Sequence, residues 1–141
     1  SACQRIALGV GKDAVMSYLP LKYWTDFDLK CTLEYPVSDF AAELRWMKEV
    51  VGFTLLSESE DYAIVTDAGH HFTFSFKQCD GPQPDLSAMN LQLFTDDFDA
   101  VFAELQRRCP GVELRWQAKQ RIAYTRTPAG LPFEIWSGWE G

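Results

Sequence analysis

Apolar positions along the chain change period at regular places. Phe40, Leu44, Met47 and Val51 recur at i, i+4, i+7 and i+11, the spacing of one helical face. Asp39 stands before them as an N-cap whose carboxylate can accept orphan backbone N–H groups, and Gly52 stands after them as a stop. Upstream, residues 29–37 read as a strand. Downstream, residues 53–56, 62–66 and 72–76 read as three more, separated by the acidic turn Glu58-Ser59-Glu60-Asp61 and the turn Asp67-Ala68-Gly69. Phe72-Thr73-Phe74-Ser75-Phe76 alternates strictly, so its rings face one side of a sheet and its hydroxyls the other.

The same order then repeats. After the turn-rich linker Asp80-Gly81-Pro82-Gln83-Pro84-Asp85 come a strand over 89–95, a helix carrying Phe98, Phe102 and Leu105 on one face, and strands over 112–116, 122–126 and 133–136. Arg107 and Arg108 close that helix, where cations suit its dipole. Asp39 and Asp97 stand 58 positions apart, Gly52 and Gly111 stand 59 apart, so the two copies keep register. A chain of 141 residues that is 47% hydrophobic supports one well-buried core, which places both copies in one domain. The expected class is α+β, with two βαβββ modules at about 28–79 and 86–137 inside a domain spanning 28–141. Residues 1–27 form an N-terminal extension, in which Asp13 to Leu19 suits a short helix ended by Pro20. That extension is expected to serve as a packing arm, with a lid over a binding site as the alternative.

Charge narrows the partners. A net charge of −7 opposes binding to a phosphate backbone or an anionic membrane. No apolar run approaches a membrane span and no basic-then-apolar leader opens the chain, so a cytoplasmic protein is expected, with neither nucleic acid nor membrane as partner. The cysteines at 3, 31, 79 and 109 make no Cys-x-x-Cys pair and read as reduced thiols.

Strand parity predicts a lining of Thr32, Glu34, Thr73, Ser75, Asn90, Gln92, Phe94, Glu134 and Trp136, with Trp116 and Tyr124 as rim candidates. It sends Met89, Leu91, Leu93, Phe133 and Ile135 to the core. No Ser-His-Asp or Cys-His arrangement and no phosphate-cradling glycine loop is present, so no catalytic residue is assigned. The only histidines, His70 and His71, are adjacent and would point to opposite faces of a strand.

The double βαβββ order, Val-x-Asp-Phe before the first helix, Val51-Gly52-Phe53 after it and the terminal run Thr127 to Ile135 together resemble the vicinal oxygen chelate superfamily. That superfamily groups glyoxalases, bleomycin-resistance proteins and extradiol dioxygenases. The resemblance covers about residues 29–137 and implies an eight-stranded incomplete barrel around a cleft lined by both halves. It also implies four ligand positions in metal-using members, which fall here on Thr32, Asn90, Thr73 or Ser75, and Glu134. Only Glu134 suits a divalent transition ion, since hydroxyls and an amide bind such an ion weakly against water. No metal and no cofactor are therefore expected. The resemblance is closest in character to the non-metal, bleomycin-resistance type, and implies a protein expected to bind a cationic or aromatic small organic molecule without converting it, as a homodimer. The alternative is a lyase, isomerase or dioxygenase using Glu134, with Glu34 as a second cleft carboxylate. A third reading is an interaction protein whose dimer seam is residues 1–27.

Overall fold

A computed structural model describes residues 19–25 and 29–140. The chain divides into two units, residues 1–30 and 31–141. In the first, Leu19, Leu21, Tyr23 and Trp24 are exposed. The helix expected over 13–19 lies outside the described residues except for Leu19, which is not helical.

The second unit holds both modules. The first runs β1 (Glu34–Val37), helix α1 (Phe40–Trp46) continuing as a π-helical turn (Met47–Val51), β2 (Thr54–Glu58), β3 (Tyr62–Thr66) and β4 (Thr73–Gln78). The second runs β5 (Leu91–Phe94), α2 (Phe98–Arg108), β6 (Glu113–Gln117), β7 (Gln120–Arg126) and β8 (Pro132–Trp136). Each module makes a four-stranded mixed sheet, ordered β1-β4-β3-β2 and β5-β8-β7-β6, with β1 and β5 parallel to their neighbours. Among the described residues the two modules give eight strands, and the sheets form no closed barrel.

The first strand is shorter than its apolar run suggests. Residues 29–33 lie outside the ladder with β4; the Leu33 carbonyl still accepts from the Ser75 N–H, but Thr73 turns its hydroxyl to the Cys31 carbonyl. Helix α1 starts where expected, with Asp39 accepting from the Ala42 N–H at 3.1 Å, and ends at Gly52 with φ at +83°. Its last turn widens, so that the N–H groups of Gly52 and Phe53 both reach the Met47 carbonyl. Among the described residues, no helix is long and apolar enough to cross a membrane.

The apolar faces of both sheets feed one core. Tyr35, Phe74 and Phe76 from the first sheet and Phe133 and Ile135 from the second are buried in it. Helix α1 touches both: the Phe40 ring lies 5.6 Å from Phe76, and Trp46 packs edge-on against Phe133 at 5.3 Å. On the same buried stripe stands Glu43, with no solvent exposure. Its carboxylate accepts from the Tyr35 hydroxyl at 2.6 Å and from the Ala129 N–H at 2.8 Å, with a further bond from Thr127. The side chain thus ties β1 of one module to the β7–β8 turn of the other. Burial pushes its carboxyl above the ordinary range, against the opposing pull of those three donors.

Candidate functional site

The polar side chains of β5 and β8 converge because the strands run parallel in register. Gln92 stands beside Glu134 and Phe94 beside Trp136. Residues two apart share a face, so Asn90, Gln92, Glu134 and Trp136 all project to the side away from Leu91, Phe133 and Ile135. Glu134 Oε1 accepts from Asn90 Nδ2 at 2.7 Å, Gln92 Nε2 at 3.0 Å and Trp136 Nε1 at 3.0 Å. All three donors converge on one oxygen of the partly exposed carboxylate. Partial burial acts to raise the Glu134 pKa, but these donors and the Arg115 charge outweigh it and hold the group below its ordinary range.

Aromatic plates flank the anion. Phe94, 71% exposed, is tilted against Trp136 with ring centres 6.2 Å apart. Across β8, Tyr124 pairs with Glu134, and the Arg115 guanidinium lies 3.5 Å over the Tyr124 ring. Arg115 in turn bonds Glu113 at 2.8 Å.

The predicted residues of the first module gather separately. Thr32 donates to Ser75 Oγ at 3.2 Å, Thr73 to the Cys31 carbonyl, and Ser75 has no solvent exposure. Their hydroxyls are committed to one another and to backbone at the β1–β4 seam. Glu34 is exposed on the same sheet face, opposite Ser75. Among the described residues, no hydrogen bond or ring contact joins this set to the Glu134 set. Trp116 pairs with Arg121 on the face of β6 opposite Arg115, so it lies away from Glu134, whereas Tyr124 lies beside it.

Two features escaped the sequence reading. Arg115 is one, although its i+2 spacing from Glu113 on a strand places both on one face. The other is the His71–Asp67 pair, since residues 70–72 precede β4 rather than belonging to it. His71 Nδ1 meets Asp67 Oδ2 at 2.6 Å, and His70 adopts φ of +56°. Asp67 is slightly desolvated, yet the bonds from His71 and Phe72 bring its pKa down to about 2.

The four positions at which metal-using relatives of the resembled superfamily carry ligands do not fit a transition ion here. Thr32, Asn90 and Ser75 offer neutral oxygens, and the one carboxylate already receives three N–H groups on Oε1, which direct positive dipoles at the place an ion would occupy. Among the described residues, no three His, Cys, Asp or Glu side chains come together to hold an ion.

No protein-family model matches the sequence, and no curated protein is similar to it in sequence. Solved structures are similar in fold. An antibiotic-binding protein, TnmS3 from Streptomyces sp. CB03234, is 25% identical, with a TM-score of 0.59 over 84% of this chain and 97% of its own. A bleomycin resistance determinant encoded on transposon Tn5 is 16% identical, with a TM-score of 0.60 over 77% and 97%. A glyoxalase/bleomycin resistance protein/dioxygenase from Nocardioides is 15% identical, with a TM-score of 0.67 over 99% and 95%.

Proposed function

We propose that this chain, which has the vicinal oxygen chelate fold, binds a flat, cationic organic molecule on the Glu134 face and sequesters it without chemical conversion. The observation that carries this reading is the Glu134 carboxylate, held ionised by three neutral donors beside the Trp136 and Phe94 rings. A fixed anion beside exposed aromatic faces recognises an aromatic cation by ion pairing, stacking and cation–π attraction, the last about 0.5–2 kcal/mol. Antibiotic binding and bleomycin resistance among the structural neighbours agree with a role in drug or antibiotic resistance. The alternative, an enzyme using Glu134 as general base, is disfavoured by the direction of its pKa: a carboxylate shifted downward is a weaker base at neutral pH.

The proposal includes a cytoplasmic homodimer. For the dimer, the supporting observation is that Leu33 and Phe94 leave large apolar surfaces exposed. Native mass spectrometry reports the subunit number.

The test is a tryptophan-fluorescence titration with ethidium, a flat aromatic cation, run on the wild type and on Glu134→Gln. Saturable quenching that weakens about tenfold or more in the variant is expected, since a buried or half-buried ion pair is lost. Equal binding by both proteins, or no saturable binding by either, overturns the assignment of this face.

A further inference from the structure

A second concavity lies on the opposite side of β8, far from the chemistry of Glu134 in character. The end of the π-helical turn, Val50 and Val51, faces Val101 and Leu105 of α2 across a floor of Phe133 and Ile135, enclosing a cavity of about 340 Å³. That volume falls within the range of small-ligand pockets, about 300–1,000 Å³. Its walls are aliphatic, and Ala100 on the α2 wall leaves room at the mouth. The π-helical turn itself is an independent pointer. Such turns exchange regular hydrogen bonding for a local widening and concentrate at functional sites.

The mouth is charged, and not evenly. Glu104 accepts from both Arg107 and Arg108, at 3.1 and 2.8 Å. Glu104 and Arg108 line the groove, and Arg107 bonds Glu104 from outside it, so the three-residue cluster carries one net positive charge on a chain whose own net charge is −7. Arg108 also reaches across the groove, its Nη1 donating to the Val50 carbonyl at 3.3 Å. An aliphatic slot closed by an arginine with donors to spare has the complementarity of one ligand class.

We infer that the groove between α2 and the π-helical turn binds a monocarboxylate with an aliphatic body, its chain against Val50, Val101 and Leu105 and its head on Arg108. The site is distinct from the Glu134 face, which lies on the other side of the second sheet. A cationic aromatic would meet the wrong charge at this mouth.

The test follows the methyl signals of Val50, Val51 and Val101 by NMR in the full chain as decanoate is added, with decanol as the neutral probe. Saturable shifts are expected, with decanoate binding about tenfold or more tighter than octanoate, because each buried methylene adds roughly fourfold. Arg108→Gln should weaken decanoate about tenfold and leave decanol unchanged, while Ala100→Trp, at an exposed helix position, should fill the mouth and abolish both. Glu134→Gln should alter neither. Absence of saturable shifts up to about 1 mM decanoate, the weakest affinity a specific small ligand would show here, overturns the inference. So does an Arg108→Gln variant that binds decanoate normally, or a Glu134→Gln variant that has lost it.

Discussion

Replacing Glu43 by alanine should destabilise the fold more than any exposed substitution could. The carboxylate is fully buried and satisfies three donors: the Tyr35 hydroxyl, the Ala129 N–H and the Thr127 hydroxyl. Alanine leaves all three facing a small void, and an unsatisfied buried polar group costs about 1–3 kcal/mol. Water entering the void recovers part of this, so a loss of about 3 kcal/mol is expected, the low end of the sum for three such groups. Total stability is about 5–15 kcal/mol for a domain of this kind, so the variant should unfold at markedly lower urea. Glu43→Gln should cost only about 1 kcal/mol, because its amide oxygen can serve Ala129 while its NH₂ donates to Tyr35 Oη, which can turn to accept. Urea unfolding followed by tryptophan fluorescence measures both variants. A loss below about 1 kcal/mol for Glu43→Ala would refute the view that this side chain joins the modules. The pH dependence carries a sign of its own. Burial raises the folded-state pKa above the ordinary 4.5, so the stabilising contribution is complete below that value and is lost as pH rises through the raised pKa. Wild type should therefore lose stability relative to Glu43→Gln as pH increases from about 4.5; a gain would contradict the burial argument.

Asp67 should behave in the opposite sense. Its pKa of about 2, against an ordinary 3.8, means a contribution present above 3.8 and lost as pH falls toward 2, so Asp67→Asn should remove that part of the acid transition seen by circular dichroism. Trp136→Phe should raise the Glu134 pKa toward its ordinary value by removing one of three donors, which NMR titration of the carboxyl carbon would read directly. Gly52→Ala should cost about 1–2 kcal/mol in thermal or urea unfolding, since the left-handed backbone at φ +83° crowds a Cβ against its own carbonyl even though its surroundings leave room.

Much of the fold was legible in the sequence because it rests on local rules. Asp39 caps α1, Gly52 ends it and residues 62–66 form β3 as read, each from neighbours within one turn or one strand. The faces of β4, β5 and β8 followed from alternation alone. The π-helical turn did not, because Met47 and Val51 keep the same stripe whether the turn closes over four residues or five. Glu43 was passed over for a related reason. It falls three residues after Phe40, on the buried stripe, and a glutamate there signals a buried partner only once Tyr35 and the 127–129 turn are known to stand opposite.

The sequence by itself determined which residues could share a face: Asn90 with Gln92 and Phe94, Glu134 with Trp136, and Thr73 with Ser75. Period-two geometry needs no knowledge of the neighbouring strand. Tertiary structure decided on which of these faces polar side chains converge. The parallel register of β5 and β8 brought three donors onto one Glu134 oxygen, while the β1–β4 seam spent the hydroxyls of Thr32, Thr73 and Ser75 on its own closure. Alternation assigns a side, but only pairing across strands that lie about 40 residues apart in sequence decides what meets there and whether its hydrogen-bonding capacity is already used.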